Sequence, residues 1–92
     1  MRVRWLRTAL RTLDDQANHI ARDDPTAARR ALDRVRLAVE TLTKYPAMGR
    51  PGRVPLTREL VVPGTPFVVV YRVRSDVEVI RVLHGAQSWP PD

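Results

Sequence analysis

The sequence predicts an α+β fold of two layers, with its elements in the order β-α-α-β-β-β. Residues 6–42 carry apolar side chains at helical spacing, whereas residues 56–84 are rich in the β-branched side chains typical of strands. A stretch with three prolines and two glycines, residues 46–55, separates the two halves and is predicted as a loop. Because helices and strands are segregated along the chain, we expect an N-terminal strand and an antiparallel helical hairpin to pack on a C-terminal antiparallel sheet.

Two amphipathic helices follow a short segment, Arg2 to Trp5, that is predicted as an edge strand. The apolar residues of the first helix follow the spacing four, three, four, three and so define one helical face: Leu6, Leu10, Leu13, Ala17 and Ile20. Asp24 suits the N-cap of the second helix and Pro25 its first position. That helix ends before Tyr45-Pro46, because the residue before a proline disfavours helical backbone. The short break between the helices predicts an antiparallel hairpin.

Three strands are predicted after the loop, at Leu56 to Val62, Phe67 to Arg74 and Val77 to His84. The second is the most apolar and is expected at the centre of the sheet, with Tyr71 in the core. Strict alternation would give the last strand two faces, one with Ile80, Val82 and His84 and the other with Val79, Arg81 and Leu83. Which face meets the helices is left open. Trp5 and Trp89 are expected to clamp the termini.

The composition excludes several classes of site. The chain has 92 residues, predicted as a single domain over 1–92, and 16 Lys+Arg against 10 Asp+Glu give a net charge of +6. The absence of cysteine excludes a disulfide scaffold, a zinc finger and a cysteine nucleophile. His19 and His84 alone are too few for a transition-metal cage, so we expect no metal and no cofactor.

The same composition indicates where the protein acts. No apolar stretch approaches the roughly 20 residues that span a bilayer, and no signal peptide is visible. We therefore expect a cytoplasmic protein with no membrane partner. The positive charge, which is almost all arginine, indicates polyanions or an acidic protein as partners.

A plain nucleic-acid-binding module is one function that the positive charge could support. Only 5% of residues are aromatic, however, and no strand pairs aromatics for base stacking.

The ordered elements and five short phrases of the chain resemble the RelE/ParE superfamily, the toxins of bacterial type II toxin–antitoxin pairs. The phrases are Ile20–Ala28, Pro46–Arg50, Thr57–Leu60, Val70–Val73 and Arg81–Gly85. The resemblance covers about residues 2–89. It implies a small toxin that a cognate antitoxin neutralises through an acidic amphipathic segment, in a toxin–antitoxin hetero-oligomer.

Two activities occur in this superfamily. RelE-like members cleave messenger RNA on the ribosome, and ParE-like members poison DNA gyrase without chemistry of their own. RelE-like nucleases typically carry an arginine three residues before the tyrosine of the third strand, where this chain has Val68, and basic residues after the glycine that here is Gly85. The positions after Gly85 are the uncharged Ala86 and Gln87. These departures favour a ParE-like toxin that acts on gyrase, with ribosome-bound mRNA as the alternative target.

Metal-free RNA cleavage, the activity of RelE-like members, needs a base for the 2′-hydroxyl, a cation for the phosphorane charge and an acid for the leaving oxygen. The residues of this chain that could supply them lie in the loop and strands: His84, Glu59, Arg50, Arg58, Arg72 and Arg81. The alternative for His84 is a strand-terminal histidine that forms a hydrogen bond with a neighbour. If the protein is a nuclease, the expected catalytic set is His84, Arg81, Glu59 and Arg58. If it binds a target without chemistry, the expected contact residues are Arg50, Arg53 and Arg72.

Overall fold

A computed structural model describes residues 1–85 and 87–91, and in them it places two helices and five strands. Their bounds are β1 Val3–Trp5, α1 Arg7–Ala21, α2 Pro25–Thr41, β2 Arg50–Pro51, β3 Arg58–Val61, β4 Phe67–Val73 and β5 Val77–His84. The strands form one sheet in the order β1-β5-β4-β3-β2. The predicted α+β class is confirmed.

The helical hairpin begins and ends close to the predicted positions. The Asp24 side chain accepts a hydrogen bond from the Ala27 amide at 3.0 Å, and Pro25 occupies the first turn, as the capping pattern predicts. The face of α1 that is buried runs through Ala9 and Leu13, whereas Leu10 is exposed. Ala9 and Leu13 pack in the main core, so the prediction that Leu10 lies on the buried face of α1 was wrong. Neither helix in the described part of the chain is long and apolar enough to cross a membrane.

The N-terminal strand makes the sheet mixed rather than wholly antiparallel. β1 pairs in parallel with β5, from Val3 opposite Val77 to Trp5 opposite Val79. Pairing of β1 with β5 stops at Val79, and beyond it the Thr12 hydroxyl of α1 accepts a hydrogen bond from the Val82 amide at 2.9 Å. The helix thus supplies a hydrogen-bond acceptor for a backbone amide of β5 that the short strand β1 does not reach.

The predicted loop, residues 46–55, contains a short strand that the sequence pattern does not predict. β2 pairs antiparallel with β3, with Arg50 opposite Glu59 and Pro51 opposite Arg58. Proline is tolerated there because β2 is an edge strand, where no neighbour needs its missing N–H. β3 begins at Arg58, so the predicted strand at Leu56 to Val62 starts two residues too early.

A β-bulge in β5 overturns the predicted alternation of its side chains. Val70 pairs with Arg81 and Tyr71 pairs with Val79, so Ile80 is an extra residue without a partner on β4. Because one inserted residue shifts the phase of the strand, Val79 and Val82 both face the helices. Ile80 packs on the opposite side, so the prediction that Ile80 and Val82 share a face was wrong.

The central strand β4 is buried on both sides. Its inner face, toward the helices, carries Phe67, Val69 and Tyr71 in the main core. Its outer face carries Val68 and Val70, which form a second cluster with Leu83, and Ile80 and Trp89 pack against that cluster. The predictions of Tyr71 as a core residue and Trp89 as a clamp are confirmed.

The cluster on the outer face, formed by Val68, Val70 and Leu83, should contribute to stability as a second hydrophobic core. We expect Leu83→Ala to lower the free energy of unfolding by about 2–5 kcal/mol, because Leu83 is buried and its removal leaves a cavity. The matched control is Leu37→Ala on α2, where the side chain is 68% exposed and the change should stay within about 0.5 kcal/mol. Urea unfolding followed by circular dichroism measures both. Equal losses in the two variants would contradict a second core.

Candidate functional site on the outer face of the sheet

A buried carboxylate organises the arginines of β2 and the loop after it. The side chain of Glu59 is 1% exposed, and its Oε1 accepts from Arg50 Nη2 at 3.2 Å and from Arg53 Nη2 at 3.1 Å. Its Oε2 accepts from the backbone amide of Arg53 at 2.9 Å and from Arg53 Nε at 3.2 Å. Register explains the first contact, because Arg50 lies directly opposite Glu59. Both guanidinium groups keep a face in solvent, with Arg50 61% and Arg53 42% exposed.

The ionisation of Glu59 follows from these contacts. Burial by itself raises the pKa of the Glu59 carboxyl, but hydrogen bonds from Arg53 and Arg50 favour the charged form and hold its pKa below the ordinary value. Glu59 is therefore a carboxylate at neutral pH, with both oxygens occupied. A group in this state is poorly suited to accept a proton from a substrate.

A second carboxylate forms a similar cluster one row further along the outer face. Glu78 lies opposite Arg72 of β4 and Arg4 of β1, and it accepts a hydrogen bond from Arg72 Nε. Arg4 Nη1 lies 3.3 Å and Arg74 Nε 4.0 Å from the same carboxylate. The hydrogen bond from Arg72 is the main reason that the pKa of Glu78 is lowered.

Sequence reasoning found Arg72 but missed Glu78, Arg4 and Arg74. A hint was present, since Glu78 is the one acidic residue within the predicted strand from Val77 to His84. The parallel pairing of β1 with β5, which brings Arg4 beside Glu78, had no signal in the sequence.

Arg58 points to the opposite face from its neighbour Glu59 and has a structural task. Its Nη1 donates to the Gly49 carbonyl at 2.8 Å and to the Ala47 carbonyl at 3.4 Å. Beside it, the Tyr71 hydroxyl donates to the Pro46 carbonyl at 2.7 Å and accepts from the Gly49 amide at 2.9 Å. Burial raises the pKa of Tyr71. A Cβ at Gly49 would lie 2.7 Å from the Tyr71 ring, so only glycine fits this close approach.

Arg81 lies on the outer face in the same row as Arg50 and Glu59. The register places Val70 between Glu59 and Arg81 across three neighbouring strands. The Arg81 guanidinium carbon lies 4.9 Å from the centroid of the Trp89 ring, which is a cation–π distance. Within residues 1–85 and 87–91, Arg81 Nε and Trp89 Nε1 are buried without a hydrogen-bond acceptor.

His84 ends β5, and its position in the ladder is on the inner side. It lies opposite Phe67, an inner-face residue, and its side chain is exposed. Its backbone amide donates to Gln87 Oε1 at 3.3 Å, and its carbonyl accepts from the Gln87 amide at 2.9 Å. Gly85 then donates to the Pro66 carbonyl, which fixes the strand end. Ala86, whose lack of charge was one of the departures from RelE-like nucleases, lies outside the described residues.

The candidate nuclease residues are therefore divided between the two faces of the sheet. Glu59 and Arg81 lie on the outer face, whereas Arg58 and His84 lie on the inner side. The expected target-binding residues, in contrast, share the outer face: Arg50, Arg53 and Arg72. In the described part of the chain, no group of three or more acidic or histidine side chains could hold a metal ion.

Comparisons with known proteins agree with this architecture. Residues 3–89 match the family described as the ParE toxin of the type II toxin–antitoxin system parDE. Toxin Y4kP of Sinorhizobium fredii is 48% identical over 89 residues, which cover 97% of this chain and 93% of that protein. Toxin RelE2 of Caulobacter vibrioides is 34% identical over 86 residues, 92% of this chain and 96% of that protein. A chain of the chromosomal ParDE system from P. aeruginosa superposes with a TM-score of 0.81 at 27% identity, over 91% of this chain and 95% of that one.

The buried Glu59 cluster should make stability depend on pH. Because the folded pKa of Glu59 lies below its ordinary value of 4.5, its stabilising effect is complete above that pH and is lost as pH falls through the folded pKa. We expect Glu59→Gln to lower the free energy of unfolding by about 1–3 kcal/mol at pH 7. We also expect the variant to lose less stability than wild type on acidification. Urea unfolding at a series of pH values measures both effects.

The matched control for this measurement is Glu40→Gln, which removes an exposed glutamate of α2. It should leave both the stability at neutral pH and its decline in acid as in wild type. An acid profile of Glu59→Gln that coincides with wild type would contradict the assigned role of Glu59.

Proposed function

Because the chain belongs to the ParE toxin family of type II toxin–antitoxin systems, we propose that it arrests growth by binding and poisoning DNA gyrase. A toxin of this kind has an antitoxin as its partner. The observation that carries the proposal is the state of Glu59, whose two oxygens are both taken by Arg50 and Arg53. The carboxylate serves to orient cations and is not available for proton transfer, which favours a binding surface over a nuclease centre.

The other nuclease candidates support the same choice. General acid–base catalysis requires the base, the acid and the stabilising cation to reach one reacting phosphate. Arg58 instead holds the backbone of residues 47 and 49, and Glu59 lies across the sheet from it. Where RelE-like nucleases carry an arginine, Val68 is buried in the outer cluster and supplies no charge.

The arginines of the outer face support contact with an acidic surface. The side chains of Arg50, Arg53 and Arg72 are each partly exposed, although each is held by a carboxylate. A pre-oriented arginine loses less conformational freedom on binding than a free one, so it can bind a carboxylate or phosphate at a lower entropic cost. The ParE-like resemblance is the reason for proposing gyrase as the protein that carries this acidic surface.

A separate groove suits the antitoxin. The end of α1, the start of α2 and the β3–β4 turn line an open cleft of about 310 Å³. Its apolar lining includes Ile20, Ala27, Ala31 and Pro66, and its basic lining is Arg30 and Arg34. A second cleft of about 240 Å³ shares Arg34 and adds Leu37, Ala38 and Pro63. We propose that an acidic amphipathic segment of the antitoxin lies along these clefts, with apolar side chains inward and carboxylates on the arginines.

Ribosome-dependent cleavage of messenger RNA is the second candidate function. One observation favours it, namely that His84 is exposed at the end of β5, where an imidazole could reach a substrate. Both candidates describe a growth-inhibiting toxin, so their experimental tests must separate the targets.

Purified toxin should inhibit DNA supercoiling by gyrase and leave mRNA intact on programmed ribosomes. The reason is that its polar residues form a binding surface without a convergent acid and base. Gel assays of plasmid topology and of mRNA integrity, run with the same toxin preparation, measure the two outcomes. Adding the antitoxin should restore supercoiling. Cleavage at defined codons with supercoiling unaffected would establish the nuclease instead.

The His84→Ala variant separates the two mechanisms in cells. We expect it to arrest growth as strongly as wild type, because gyrase poisoning needs no proton transfer by His84. Colony formation after induction measures the effect, with an immunoblot to confirm equal expression. A loss of toxicity of about 100-fold or more, the usual contribution of a general base, would favour catalysis. Co-expressed antitoxin should protect cells from both the wild-type toxin and the His84→Ala variant.

A further inference from the structure

The loop between β2 and β3 presents one fully exposed apolar side chain. Leu56 is 95% exposed, the highest value among the exposed large hydrophobic residues of the described chain. Its φ is +67°, in the left-handed region that costs free energy for any residue with a Cβ. The sequence predicts Leu56 as the start of a strand, so neither its exposure nor its backbone conformation was foreseen.

The neck of this loop is closed by several contacts, so Leu56 is held in place. The Gly52 amide donates to the Thr57 carbonyl at 2.7 Å, and the Thr57 hydroxyl donates to the Val54 carbonyl at 2.6 Å. A Cβ at Gly52 would lie 2.2 Å from the Thr57 hydroxyl oxygen, so the approach requires glycine. The Arg53 amide is fixed on the buried Glu59 at 2.9 Å. Leu56 therefore projects from a rigid support.

Two shallow clefts flank the leucine, and arginines line them. One, of about 310 Å³, includes Arg58 and Val73, and the other, of about 360 Å³, includes Arg72, Arg74 and again Val73. In the neighbouring ion-pair clusters of the outer face, five guanidinium groups share the two carboxylates Glu59 and Glu78. The surroundings of Leu56 thus carry an excess of positive charge.

We propose that Leu56 is the anchor by which the toxin docks into a pocket of its folded protein target, a pocket that is apolar inside and acidic at its rim. The proposal rests on the function proposed above, that the toxin acts by binding a protein. A side chain that carries much of the binding energy of an interface is typically seated in a well-packed pocket and surrounded by contacts that exclude water. Rigid presentation lowers the entropic cost of docking.

The shape and charge of the site favour this occupant over others. A flexible antitoxin segment requires a groove, whereas a projecting side chain requires a preformed pocket on a folded partner. A second copy of this basic chain would bring arginines against arginines. An aliphatic side chain neither stacks on bases nor binds phosphate, which argues against nucleic acid.

The test uses Leu56→Asn with Leu56→Met as its conservative partner. Asparagine tolerates the left-handed backbone, so the loop keeps its conformation while the apolar anchor becomes polar. With purified gyrase, we expect Leu56→Asn to need about 30-fold more toxin than wild type for the same inhibition of supercoiling. Leu56→Met should stay within about threefold of wild type. The control Leu10→Ala, which truncates an exposed leucine of α1, should inhibit gyrase as wild type does.

Further measurements distinguish loss of the anchor from misfolding of the variant and from a wrong choice of target. Leu56→Asn should melt at the wild-type temperature and bind the antitoxin with unchanged affinity, and it should lose growth arrest in cells. If wild-type toxin does not inhibit gyrase, the proposed function is wrong. The role of Leu56 is then decided by whether Leu56→Asn still arrests growth in cells. A Leu56→Asn variant that still arrests growth, or one that loses antitoxin binding as well, would overturn the anchor.

Discussion

The central strand β4 must be covered on both faces, and this constraint shapes the rest of the chain. Residues 67–71 are all buried, which leaves no side of the strand for solvent. The helical hairpin covers the inner face, and on the outer face Trp89 and side chains of β5 pack against the strand. In a chain of 92 residues the core is thin, and the packing of Trp89 and Ile80 on Val68, Val70 and Leu83 extends it to the outer face.

Charge on the outer face is organised by carboxylates that lie beneath it. Glu59 and Glu78 are buried, and each gathers arginines that come from separate strands or from the loop. Such clusters are costly to assemble, since a carboxylate loses its water, and they hold their cations in fixed directions. The same Glu59 also fixes the loop that carries Leu56. Glu59 therefore both orients two of the surface arginines and fixes the loop beside them.

The two sides of the molecule suit two kinds of partner. The α2 side offers two clefts that combine apolar residues with arginines, which fit a segment that folds on binding. The outer face and the β2–β3 loop offer fixed cations and a rigid projecting leucine, which fit a surface that is already folded. Separate surfaces would let a toxin contact its target and its antitoxin through different residues.

The sequence alone determined the fold class, the hairpin with its Asp24 cap, the central position of β4 and the resemblance to the toxin superfamily, because helical period, capping and β-branched runs are local properties. Only the tertiary structure decided which residues share a face. The bulge at Ile80 reverses the alternation of β5, and the pairing of β2 with β3 places Arg50 on Glu59. The parallel β1 brings Arg4 to Glu78. Each depends on register between distant segments, which no local pattern encodes.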